Sequence, residues 1–101
     1  MTLEIGNLVF EWDDNKNQTN IKKHKISFEM AVRVFLDKDR LEKVDLKHST
    51  LEEERLNIIG RVSNLLVLFV VTTDRDGKIR IISARKAEHE EEVEYYENIN
   101  S

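Results

Sequence analysis

Residues 65–73, LLVLFVVTT, restrict the fold more than any other stretch. Apolar side chains on both faces of an extended run suit a strand covered on both sides, which means a central strand of a sheet. Ser63 and Asn64 read as a hairpin turn before it, and Asp74 to Gly77 carry the Asp and Gly chemistry of a second turn after it. The flanking segments, RLNIIGRV over 55–62 and the stretch Lys78 to Ala84, then pair with it on either side. Turns this short exclude parallel crossovers, so the expected unit is an antiparallel meander.

The remaining elements are arranged around that meander. LVFEW at 8–12 reads as a short strand preceded by a turn at Gly6 and Asn7. Asp13 or Asp14 caps a helix running to about Lys23, almost wholly polar, with Ile21 its one large apolar residue. A second helix starts at Ser27, where Phe28, Ala31, Val32 and Phe35 recur at helical spacing and face the core. Leu41, Val44 and Leu46 suggest a charged edge strand. A last helix spans Lys86 to about Asn98, with His89, Val93 and Tyr96 as a thin inward stripe. The expected architecture is α+β: one domain over 1–101 with two N-terminal helices, an antiparallel sheet and a C-terminal helix.

With no cysteine in 101 residues, disulfides, thiolate metal sites and a thiol nucleophile are excluded. The longest apolar run, Leu65 to Val71, is far short of a membrane helix. No membrane partner and a cytoplasmic location are therefore expected. The net charge of −4 is unevenly spread. Six glutamates lie between Glu88 and Glu97 with no Lys or Arg among them, so the rest of the chain is net positive. Residues 16–25 hold Lys16, Lys22, Lys23 and Lys25 with no acid, and residues 75–86 hold five cations against Asp76 alone.

Two constellations could carry chemistry. KKHK places His24 among Lys22, Lys23 and Lys25 at a helix end, where an imidazole can move protons near neutral pH and ammonium groups can attract phosphate. The alternative is a solvated basic helix end. The strand stretch KIRIISARKA carries Arg80, Ser83 and Arg85, and Arg55 opens a neighbouring strand. Strict alternation would put Arg80 on one face and Ser83 with Arg85 on the other. Such a group can bind phosphate, or its arginines can pair with carboxylates such as Glu54 or Glu91 and tie the sheet to its helix. Tyr95 or Tyr96 could offer a phenol to the same cleft. His24, His48 and His89 are too scattered to suggest a metal site, and neither a glycine-rich phosphate loop nor a GxSxG turn occurs. No cofactor is expected.

Taken in order, FEWDDNK, Asn20, KKHKISFEMA, ERLNIIG, IRIISARKA, Glu91 and Tyr95 resemble the BrnT toxin family across residues 9–96. That resemblance implies a RelE-like fold and a metal-independent endoribonuclease that cleaves RNA and inhibits translation. It also implies a cognate ribbon–helix–helix antitoxin, with operator DNA bound only through that antitoxin. The family's KH pair falls on Lys23 and His24, its strand-leading arginine on Arg55, its ISAR signature on Ile82 to Arg85, and the Glu and Tyr of its last helix on Glu91 and Tyr95. Lys23, His24, Arg55, Ser83 and Arg85 are the catalytic candidates, and Lys22, Lys25, Arg80 and Tyr95 the substrate-binding ones. Two departures stand out. Lys25 replaces the glycine of the family's KHG, so the helix end is expected to be shaped differently. The last helix is acidic where the family's is rich in arginine, which favours as an alternative a weak or inactive toxin homologue acting as a binding module.

Overall fold

Three long strands form the expected meander, β4 (Arg55–Ser63), β5 (Leu66–Arg75) and β6 (Lys78–Lys86), paired antiparallel in sequence order. The computed structural model describes residues 1–101. Asp76 and Gly77 make the second turn with φ of 53° and 79°, the left-handed pair that a tight hairpin favours in Asp-Gly. The first turn falls one residue later than expected, on Asn64 and Leu65. Leu65 is held at φ 65° with its side chain largely exposed.

The chain opens with a hairpin that the sequence indicated only in its second arm: β1 (Thr2–Ile5) and β2 (Leu8–Glu11), turning at Gly6 with φ 59°. Its alternation is visible once the pairing is known, because Leu3 and Ile5 reach the core while Thr2 and Glu4 face water. β2 then joins β6 through Phe10↔Ile79 and Glu11↔Arg80, and this joint is parallel. The complete sheet runs β1-β2-β6-β5-β4-β3, with β3 (Leu41–Val44) as the far edge, and is mixed rather than antiparallel. A parallel joint is possible here because residues 12–77, about two-thirds of the chain, lie between its two strands.

The sheet has two unequal faces. On one, Ile58, Leu68, Val70, Ile81 and Ala84 pack under Phe10, Trp12, Phe28, Ala31, Val32 and Val34 as the main core. Helix α2 (Phe28–Ala31), capped by Ser27 Oγ accepting from Met30 N at 3.0 Å, supplies part of this cover. After one turn it tightens into a 3-10 helix over Val32–Leu36, where residues three apart eclipse; Val34 thus joins Ala31 on the buried side, while Phe35 is only partly buried. This helix lies against β4 at Gly60, where any Cβ would come within 2.9 Å of Val34 Cβ. On the other face only one end is covered. There α3 (His89–Ile99) sets Tyr95 against Ile59 and Val67. The inward position is therefore Tyr95, not the stripe of His89, Val93 and Tyr96: His89 is exposed, Val93 is mostly so and Tyr96 is at the margin. One turn before Tyr95 the helix presents Glu91, a charged inward residue that masks the apolar periodicity.

Helix α1 (Asp14–His24) is capped by Asp13, whose Oδ1 accepts from Asn15 N at 2.8 Å and Lys16 N at 3.0 Å. Its buried side chains are Asn17 and Asn20 rather than apolar residues. Asn17 Oδ1 accepts from Phe28 N at 2.8 Å, holding the start of α2. Asn20 lies along the half of β6 that β2 does not reach. Its amide donates to Ala84 O and Ile26 O at 2.8 Å each, and accepts from Ala84 N at 3.1 Å. One side chain thus satisfies both backbone groups of a strand residue, as a neighbouring strand would. No helix is long and apolar enough to cross a membrane.

Asn20→Ala removes these hydrogen bonds and leaves Ala84 unpaired in a buried setting. We expect a loss of roughly 2–4 kcal/mol of stability, read as a lower urea midpoint at unchanged m. A change within the error of the midpoint would show that α1 is held to β6 by something else.

Candidate active site

The open part of the second sheet face is built by register. Directly opposed strand residues share a face, so Arg55 with Thr73, Asn57 with Val71, Val71 with Ser83 and Phe69 with Arg85 all point to the same side. β6 carries a bulge in this region: Val71 opposes Ser83 but Thr72 opposes Ile81, leaving Ile82 extra. A bulge reverses the alternation beyond it. Ile81 and Ala84, three apart, consequently both face the main core, and Arg80 lies on the same face as Ser83 and Arg85 rather than on the opposite one. Arg80 is nevertheless removed from them. It sits beside Glu11 in the β2 register, and its Nη1 lies 3.6 Å from the Glu11 carboxylate.

Two hollows meet at the bulge. The first lies between α1 and β6 and is lined by Lys16, Lys23, His24, Ile82 and Ser83, among others. The second lies over β4 to β6 and is lined by Asp45, His48, Arg55, Asn57, Phe69, Val71, Ile82, Ser83 and Arg85. Ile82 and Ser83 belong to both. Helical spacing explains the α1 contribution, since Lys23 and His24 follow Asn20 by three and four residues and so share its β6-facing side. The helix ends at Lys25, which takes φ 63° and ψ 22° and donates its backbone N–H to Ile21 O. Lys25 thus takes the left-handed, helix-ending conformation that glycine favours.

The candidates therefore divide. Lys23, His24, Arg55, Ser83 and Arg85 gather along the two hollows. Lys22, Lys25, Arg80 and Tyr95 line neither. Lys22 and Lys25 are exposed, with Lys25 Nζ 3.4 Å from Lys22 O. Tyr95 is fully buried and donates its hydroxyl to Asp37, so it anchors α3 and offers no phenol to the cleft. Burial, reinforced by the Asp37 hydrogen bond, pushes the phenol well above its usual range. Burial would raise Asp37 too, but hydrogen bonds from Arg61 N, the Tyr95 hydroxyl and Asp39 N hold that carboxyl below its ordinary value.

Arg85 is present but engaged. Its Nη1 and Nη2 bond both oxygens of Glu91 at 2.7 and 2.9 Å, Glu88 lies 3.5 Å away, and the guanidinium sits 4.2 Å from the Phe69 ring centroid. The Glu91 hydrogen bond is the main reason its pKa is raised. Burial pushes Glu91 up, yet the Arg85 hydrogen bonds and the Glu88 N–H bring it below the usual carboxylate range. Pairing of the arginines with acids, one of the two sequence alternatives, thus holds for Arg85. It holds also for Arg55, whose Nε lies 3.2 Å from Glu53 Oε1. Lys23 and His24 form no ion pair.

Three lining groups were missed in the sequence. Asp45 and His48 lie in the charged segment before β4, with His48 Nδ1 2.8 Å from Asp45 Oδ2. Their D-x-x-H spacing was the available signal. Asn57 was hidden inside a strand pattern, and its Oδ1 is buried with no hydrogen-bond partner. No three His, Asp or Glu side chains gather closely enough to hold a metal ion.

A family model described as the ribonuclease toxin, BrnT, of type II toxin–antitoxin systems matches residues 12–91. The crystal structure of the Brucella abortus ribonuclease toxin BrnT aligns with a TM-score of 0.59 at 29% identity, covering 79% of this chain and 96% of that one. No curated protein sequence matches. With a mixed sheet, helices on both sides and an open face edged by basic groups, the molecule falls in the class of ribonuclease toxins of type II toxin–antitoxin systems. Within that class the chain belongs to the BrnT family.

The Arg85–Glu91 pair has a definite pH signature. Glu91 has a depressed folded pKa against an ordinary value of 4.5, so its contribution is present above that value and is lost as pH falls through the folded pKa. Glutamine at this position retains an acceptor for the Glu88 N–H. Glu91→Gln should therefore be about 1 kcal/mol less stable than wild type at pH 7, with the gap closing at strongly acidic pH. A gap independent of pH in denaturant titrations would exclude the ion pair as its source.

Proposed function

We propose that this protein is a metal-independent endoribonuclease that cleaves RNA by attack of a ribose 2′-oxygen on the adjacent phosphorus, and inhibits translation by destroying RNA. The P–O5′ bond breaks as the new P–O2′ bond forms, leaving a 2′,3′-cyclic phosphate and a 5′-hydroxyl. Such a reaction needs proton transfer and charge stabilisation but no protein nucleophile. His24 moves a proton, Lys23 and Arg55 stabilise the charge that builds on the phosphorane oxygens, and Ser83 positions the phosphate by a hydrogen bond. Arg85 joins them only when Glu91 lets it go. One observation carries this assignment: a lysine and histidine from the end of α1 share a hollow with Ser83, and Ser83 shares the next hollow with Arg55. The toxin acts in the cytoplasm and is neutralised by a cognate antitoxin of the ribbon–helix–helix type, through which alone the pair binds its operator DNA.

A second function is favoured by the state of Arg85. With Glu91 and Glu88 on its guanidinium and an acidic α3 beside the face, the protein would serve as a weak or inactive toxin homologue that binds antitoxin or nucleic acid without chemistry. Induction in cells separates the two, because an active toxin arrests growth until the neighbouring antitoxin is supplied and a binding module does neither.

With purified protein, His24→Ala should lower the RNA cleavage rate by about 10²- to 10⁴-fold while leaving the denaturation midpoint close to wild type. Cleavage at the wild-type rate would remove His24 from the catalytic set.

A further inference from the structure

Cleavage by 2′-oxygen attack requires two proton transfers, one from O2′ and one to the departing O5′. In-line displacement sets those oxygens on opposite sides of phosphorus, so two separated groups serve the reaction better than one. His24 lines the hollow on the α1 side of Ser83. The hollow on the other side of Ser83 also contains a histidine, His48. We propose that His48, oriented by Asp45, is the second proton-transfer group of this site, acting across Ser83 from His24; this rests on the ribonuclease function proposed above.

The segment that carries His48 is firmly attached to the sheet. Asp45 N donates to Arg55 O at 2.7 Å, and Arg55 N donates to Ser49 Oγ at 2.9 Å, so both ends of the turn are fixed to the first residue of β4. Within the turn Ser49 N and Oγ both donate to Asp45 O, at 3.0 and 2.6 Å. Asp45 Oδ2 lies 2.8 Å from His48 Nδ1, and Asp45 Oδ1 accepts from His48 N at 3.3 Å. A carboxylate on Nδ1 keeps the proton there and leaves Nε2 as the nitrogen that exchanges protons with a ligand. Asp45 is nearly covered, at 15% side-chain exposure, whereas the ring is 57% exposed and so open to substrate. The His48 hydrogen bond, ahead of any other cause, holds the Asp45 carboxyl below its usual range, which keeps it an acceptor at neutral pH.

Asn57 lies on the lining of the same hollow, with its Oδ1 buried and without a hydrogen-bond donor. Arg55 and Ser83 on the same lining give the phosphate a cation and a hydrogen-bond donor, joined by Arg85 when Glu91 releases it.

The test uses purified full-length wild type, His24→Ala, His48→Gln and Asp45→Asn on an RNA oligonucleotide whose scissile bond has first been mapped with wild type. Rates are followed against pH, on the ordinary substrate and on one with sulfur replacing the 5′-bridging oxygen, a leaving group that needs no protonation. Asparagine retains the acceptor for His48 N, so Asp45→Asn isolates the contact to the ring. We expect His48→Gln to lose about 10²-fold or more and to lack one limb of the wild-type pH profile, with the other limb absent from His24→Ala. Asp45→Asn should fall between wild type and His48→Gln. Recovery of His48→Gln on the sulfur substrate marks the ring as the acid, and failure to recover with a limb missing marks it as the base; either supports the proposal. A wild-type rate in His48→Gln, or a slower rate with both limbs intact, overturns it while leaving the ribonuclease function standing. If wild type cleaves no RNA, that function fails first and the proposal with it.

Discussion

The position of helix α1 against the candidate site depends on the amide of Asn20. Helix α1 has almost no apolar surface to bury, so hydrophobic packing alone cannot set its position against the sheet. The hydrogen bonds to Ala84 and Ile26 do so instead. Because such bonds are directional and the unmet alternative is a pair of buried orphan groups, they define rotation about the helix axis as well as distance. Lys23 and His24, one turn further on, inherit that setting. Ala84 adjoins Ser83, so the clasp ties the two halves of the first hollow together within a residue of the atoms that would meet a phosphate.

The sheet was legible where burial dictates pattern and obscure where it does not. A run apolar on both faces has few places to go except the middle of a sheet, and LLVLFVVTT is there as β5. Asp-Gly likewise turned the chain where expected. The bulge at Ile82 gave no warning, since an extra isoleucine in a strand looks like any other isoleucine, and it changed the face assigned to Arg80. The last helix was misread for a related reason. Its inward stripe combines Tyr95 with Glu91, and a half-buried residue held by an ion pair does not register as part of an apolar period.

Motif order carried more of the site than did periodicity. The pieces matched to the family brought Lys23, His24, Arg55, Ser83 and Arg85 to one region although they come from three separated elements. Composition could not have done this, because a net acidic chain argues against a phosphate-binding surface until its charges are mapped. Asp45 and His48 remained hidden for the opposite reason. They lie in a segment so rich in charge that two more polar residues drew no notice, and only the hydrogen bonds of Ser49 and Arg55 reveal that the segment is held in place.

The clamp on Arg85 makes any incoming anion a competitor of Glu91. Glu91 is joined to Arg85 by only six residues of chain, so its concentration at the guanidinium is set by geometry, on the millimolar scale or above, and does not fall when the protein is diluted. A lone phosphate in solution must outcompete that resident carboxylate and gains little by doing so. A strand whose neighbouring phosphates are already held elsewhere along the same face presents its next phosphate at a comparable local concentration, and contests the arginine on equal terms. Occupancy of Arg85 by an anion is thus governed by the length of the ligand rather than by its charge alone.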